Sequence, residues 1–168
     1  MLIRGIASLA RWDGTTVVNR EDATTAGDVI SDLRTQSNTL SVWRADSPED
    51  INDAIVAMSL NRTEVSKVIA LLLDEKDLSA MKIDFSDAIP GKAPGAAESI
   101  KNKHRDLLEI DYKRLGVLSD YMMKVVHDKD KRVEITKPNL KKLLIQYKEG
   151  NKIIPDEMNP ELREKLNW

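Results

Sequence analysis

The chain has 168 residues, with 26 Lys and Arg against 28 Asp and Glu, and it contains no cysteine. That excludes disulfides, thiolate nucleophiles, zinc–thiolate sites and iron–sulfur clusters together, and two histidines, His104 and His127, are too few for an all-histidine metal site. No apolar run approaches the roughly 18 residues of a membrane span, and Met1–Gly5 lacks the charged-then-apolar order of a signal peptide, so the expectation is a soluble, cytoplasmic protein without membrane contact.

In chain order, residues 2–12 are apolar without helical spacing and meet Asp13-Gly14, then Thr15-Thr16-Val17-Val18. A D-G pair between β-prone runs predicts a hairpin of strands 2–12 and 15–19. Thr25 can cap a short helix over 26–34, with Val29, Ile30 and Leu33 on one face. Residues 39–45 alternate and are β-prone, which predicts a strand. Ser47-Pro48-Glu49-Asp50 then supplies a cap, a proline at the first helical position and acids in the first turn. A helix over 48–60 follows, with Ile51, Ala54, Ile55 and Met58 at helical spacing.

Val68–Leu73 is a continuous apolar run that periodicity cannot assign. Its shortness and its two leading β-branched residues favour a strand over 66–73. Strand, helix and strand then make a βαβ unit with neighbouring parallel strands, and a short helix over 75–81 comes next. Pro90-Gly91 and Pro94-Gly95 mark a loop at 84–96. Ile100, Leu107, Leu108, Leu115, Leu118, Met122 and Val125 lie near one stripe, which predicts a long helix over 97–126, interrupted only in propensity by Gly116. Asp128–Arg132 reads as a polar turn, Pro138 opens a helix ending at Gly150, and Asn159-Pro160-Glu161 opens a terminal one. The expected fold is α/β or α+β: a small mixed four-stranded sheet with a hairpin and a βαβ unit in residues 1–83, the loop 84–96, and a helical half 97–168, packed as one domain.

The near-neutral charge hides an asymmetry: residues 1–84 hold 9 basic and 14 acidic side chains, net −5, and residues 85–168 hold 17 and 14, net +3. Four candidate sites follow. If the two βαβ strands are neighbours, Asp46, Asp74 and Glu75 lie together at the carboxyl ends of the strands, where open α/β sheets bind ligands; such a rim suits Mg2+ and a phosphate-containing substrate. His104, on the expected long helix between Ile100 and Leu108, is a candidate general base. His127-Asp128-Lys129-Asp130 resembles a metal loop only in composition, since it lacks the glycine and terminal glutamate of a calcium loop. The stretch 129–148 holds 7 basic and 2 acidic residues, and Lys137, Lys141, Lys142 and Lys148 are the candidates for a phosphate backbone.

Finally, Trp43, Arg44 and Trp168 are the residue types that anchor protein interfaces, with Arg11 and Trp12 expected on a strand beside Trp43. The loop around Gly91 and Gly95 does not have the spacing of a phosphate loop, and neither G-x-G-x-x-G nor G-x-S-x-G occurs. The leading expectation is a non-catalytic protein-interaction module of regulatory, accessory or immunity type, since separated charge suits a complementary partner. A metal-dependent enzyme and a nucleic-acid binder are the alternatives.

Overall fold

The computed structural model describes residues 1–12, 27–89 and 93–168. Five strands form one sheet: β1 (Leu2–Ile6), β2 (Leu40–Arg44), β3 (Val68–Leu73), β4 (His104–Leu107) and β5 (Arg132–Ile135), in the order β4-β2-β1-β3-β5. Every neighbouring pair is antiparallel. Six α-helices among the described residues accompany them: α1 (Pro48–Leu60), α2 (Glu75–Ala80), α3 (Glu98–Lys101), α4 (Tyr112–His127), α5 (Lys137–Glu149) and α6 (Pro160–Leu166). The fold is mixed α/β with most helices in the second half, and no helix among the described residues is long and apolar enough to cross a membrane.

The sheet is buried on both faces, which is why β3 reads as an unbroken apolar run. One face carries Ile3, Trp43, Val68 and Ala70 and shares a core with Ala54 and Ile55 of α1, Leu140 and Leu144 of α5, and Leu162 and Leu166 of α6. The other carries Leu2, Ile6, Val42, Ile69 and Leu71 and is covered by Leu78 of α2, by Leu118 and Met122 of α4, and by the 3-10 turns Leu9–Trp12 and Gly27–Ser31.

Helix α1 starts as its sequence dictates. The Ser47 hydroxyl accepts from the Asp50 amide at 3.2 Å, and the Asp50 carboxylate accepts in return from the Ser47 hydroxyl and the Asp46 amide, both at 2.9 Å. Gly95 is required by geometry: its φ is +82°, and an added Cβ would stand 2.7 Å from Met158 Cβ.

Several expectations are corrected. The sheet has five strands, not four, because residues 97–168 contribute β4 and β5. The single helix expected over 97–126 is α3, β4 and α4 in succession. The strand expected over 2–12 ends at Ile6, and residues 9–12 turn as a 3-10 helix. In the βαβ unit, β2 and β3 are parallel but not neighbours: β1 lies between them, antiparallel to both. The hairpin at Asp13-Gly14, the strand 15–19 and the Pro90-Gly91 turn lie outside the described residues, and the helix expected over 26–34 is, among the described residues, a 3-10 turn at Gly27–Ser31 without helix beyond it.

Candidate functional site

The three rim carboxylates lie at one end of the sheet. The carboxyl ends of β2 and β3 and the start of β1 share one edge of the sheet, so Asp46, Asp74 and Glu75 do lie along it. The Met1 amino group stands among them, 2.5 Å from Glu75 Oε1 and 3.8 Å from Asp46 Oδ1. Asp46 also takes the Arg44 Nε at 3.0 Å. Asp74 turns away to cap α2, accepting from the Lys76 amide at 2.8 Å, while its own amide donates to the Tyr121 hydroxyl at 2.9 Å. The Tyr121 hydroxyl is pushed up to about 12 by burial, with the nearby Asp77 and Asp74 charges adding to it. Among the described residues no three His, Asp or Glu are grouped as metal ligands.

His104 lies on edge strand β4, not on a helix, and is buried, 1% exposed. It is paired with Trp43 across the β2–β4 ladder, the two rings meeting edge-on with centroids 5.1 Å apart. Its Nε2 is 3.5 Å from Asp106 Oδ1, which accepts the Ser41 hydroxyl at 3.0 Å. In this trio the carboxylate stands between histidine and serine. A hydrolytic triad needs the imidazole in the middle to take the serine proton, so this order does not activate Ser41.

Arg4 links the trio to Asp32. Arg4 donates to the main-chain oxygens of Ser41 at 2.8 Å and Asp32 at 2.6 Å. Burial lowers its pKa, against the opposing charges of Asp32 and Asp106. The Asp32 carboxylate accepts from the Ala7 amide at 3.0 Å and the Trp12 indole at 2.8 Å.

The predicted interface residues are dispersed. Trp43 is 6% exposed and belongs to the core. Trp12 lies on the opposite face of the sheet, not beside it. Trp168 is half-buried against the α5–α6 side of the core, with Lys148 Nζ 4.7 Å above its ring, so the chain end docks on its own protein. Arg44 is exposed on the Asp46 rim. Of the basic stretch, Lys131 and Arg132 pair with Asp77 and Glu134, whereas Lys137, Lys141 and Lys142 are exposed on α5 and form no ion pair among the described residues. The 127–130 segment is a turn in which Asp128 accepts from the Asp130 amide at 2.9 Å.

The residue that sequence reasoning passed over is Tyr112. It is the first residue of α4, after Asp111, whose carboxylate caps the helix by accepting from the Arg114 amide at 2.8 Å. Tyr112 is 92% exposed and Val117 42% exposed, while Gly116 between them leaves open space where a Cβ would stand. The inner side of the same helix buries Leu118, Met122, Val125 and Val126, so the fold does not need Tyr112 for its core. The Asp111 cap was the signal that could have separated α4 from the residues before it.

No family model, curated protein or solved structure matches the chain. The geometry therefore carries the functional argument.

Proposed function

We propose that the protein is a non-catalytic interaction module, of regulatory, accessory or immunity type, that holds a protein partner on the outer face of α4. The observation that carries this is Tyr112, a large aromatic side chain 92% exposed at the capped start of α4. Exposed tyrosines are strong interface anchors because a stiff amphipathic ring loses little entropy on burial. Farther along the helix Gly116 meets open space and Val117 is 42% exposed, so no other part of the described chain covers this side.

Site-specific photocrosslinking in extract of the source cells tests it, with the photoreactive residue at Tyr112 and, as control, at exposed Glu149 of α5. One discrete adduct from position 112, absent from 149, is the expected result. Tyr112→Ala should weaken capture of that partner about tenfold or more and leave stability within about 0.5 kcal/mol. Identical adducts from both positions would remove the reading.

A second reading rests on Lys137, Lys141 and Lys142, exposed and without carboxylate partners among the described residues. Clustered cations gain from counterion release on a nucleic-acid backbone. If these lysines hold phosphates, K141Q/K142Q reduces the slope of log affinity against log salt by about two, at roughly 0.9 per phosphate on a duplex. An unchanged slope, measured by fluorescence anisotropy, argues against it.

A further inference from the structure

The sheet is forked. The β1–β2 ladder pairs Leu2 with Arg44 and Ile3 with Trp43 and then stops, whereas the β1–β3 ladder continues to Ile6 and Ile69. Beyond Ile3, β1 and β2 separate, and a cleft of about 370 Å3 opens between Arg4–Ala7 and Ser41–Trp43. Met58, Asn61 and Arg62 at the end of α1, with Ala93 and His104, complete its wall.

Arg4 bridges the fork, and its bond to the Ser41 oxygen substitutes for a missing ladder bond. Its Nε–H is buried without an acceptor among the described residues. Leaving a buried donor unpaired is costly, so an acceptor brought to it is favoured.

Arg62 is the second cation. It donates to the Ser66 hydroxyl at 3.1 Å and the Lys67 oxygen at 3.2 Å, both neutral. Burial lowers its pKa, and no carboxylate charge acts against that. The negative groups near Arg4 are already engaged: Asp32 by the Ala7 amide and the Trp12 indole, and Asp106 by Ser41. Asp32 and Asp106 act on Arg4, and Asp32 also stands 3.8 Å from Arg11 Nη1. Arg62 bonds only neutral groups, so it is the cation on this wall that lacks an anionic partner among the described residues. The wall beside it is apolar, formed by Ala57, Met58, Ala93 and the Trp43 ring.

We propose that the fork cleft is a binding site for a small organic carboxylate. Its anionic head lies on Arg62 beside the Arg4 Nε, and its apolar body lies against Met58 and Trp43. The site is independent of the α4 surface, which lies on the other side of the sheet.

Titration of the isotope-labelled full chain with benzoate, followed by amide NMR, tests it. Benzoate should shift the amides of Gly5, Ile6, Ala7 and Ser41 saturably at millimolar concentration. Benzamide, equal in shape but neutral, should bind about tenfold or more weakly because it loses the charge-assisted hydrogen bond, and inorganic phosphate, charged but without an apolar body, should bind more weakly because it buries no surface against Met58 and Trp43. Arg62→Gln should lose the benzoate preference over benzamide. Gly5→Ala supplies a variant that keeps both arginines: its Cβ would meet Met58 Sδ at 2.9 Å and press that flexible side chain into the cleft, lowering affinity for benzoate and benzamide alike. Equal binding of benzamide, an Arg62→Gln variant that binds benzoate as before, or no saturable shift in these four amides would overturn the proposal.

Discussion

Replacing Trp12 with Ala should lower the stability of the protein by about 3–5 kcal/mol, the range for removing a buried large aromatic side chain. Trp12 is 0% exposed and packs in one core with Ile6, Val29 and Leu33. Its indole also donates to Asp32 Oδ2 at 2.8 Å, so the ring ties the 3-10 turn after β1 to the segment that ends in Asp32. For a domain whose net stability is about 5–15 kcal/mol, that loss is a large share of the whole. Urea unfolding would register it as a midpoint lower by about 2 M, given a slope near 2 kcal/mol/M for this size. Trp12→Phe separates the two contributions. It keeps most of the apolar contact and removes the donor, and should cost about 1–3 kcal/mol, the penalty for an acceptor left buried without its partner. A loss under about 1 kcal/mol in the Ala variant would show that the turn is not anchored on the sheet.

The parts of the fold legible in the sequence are those whose signals are local. Ser47, Pro48 and Asp50 mark the start of α1 by capping chemistry alone, and Pro138 and Gly150 bracket α5 in the same way. The apolar run of β3 needed only its length and its β-branched start to be separated from a helix. β4 is different. His-Arg-Asp-Leu has little strand propensity, and its place is set by β2, which it pairs from Leu40↔Leu107 to Trp43↔His104. Its apolar positions also fit a helical stripe, so a periodicity argument joined it to α4.

β5 was missed for another reason. Val133 and Ile135 alternate with charged residues, a usable strand signal, but the basic run before them reads as a turn. The rim carboxylates were placed on the correct edge because parallel strands end together. Their partners were not foreseen, because that needed β1 inserted between β2 and β3. The cleft was out of reach for the same reason: it exists only where the β1–β2 ladder stops.

The second large effect concerns Asp53, 3% exposed on α1, which joins the two halves of the chain. Lys103, just before β4, bonds to Asp53 and Asp50, and Lys152, after α5, lies 3.5 Å from Asp53 and 2.6 Å from Glu49. The Tyr147 hydroxyl is raised well above the usual tyrosine value, first by burial and then by the neighbouring Asp53 carboxylate. Removing one member of a buried pair costs about 3–5 kcal/mol, but these lysines are 28% and 34% exposed and can rehydrate. Asp53→Ala should therefore cost about 2–3 kcal/mol at neutral pH.

The same cluster sets a pH window. The hydrogen bond from Lys103 holds the Asp50 carboxyl far below the usual range. A depressed carboxyl stabilises the fold above its unfolded pKa, near 3.9, and that contribution is lost as pH falls through the folded value. Burial would lower the Lys103 ammonium, but its bonds to Asp50 and Asp53 and their charges outweigh this and raise it. Lys152 is raised as well, chiefly by its bond to Glu49. A raised ammonium stabilises below its unfolded pKa, about 10.4, and that part is lost as pH rises through the folded value. Stability of the native chain should thus be nearly flat between about pH 5 and 9 in these terms and fall on both sides. Lys103→Met should reduce the slope of both limbs, because it removes a titrating ammonium and the bond that holds Asp50 down. If urea midpoints from pH 2 to 11 showed the same two slopes in Lys103→Met, the cluster would have no part in joining the halves.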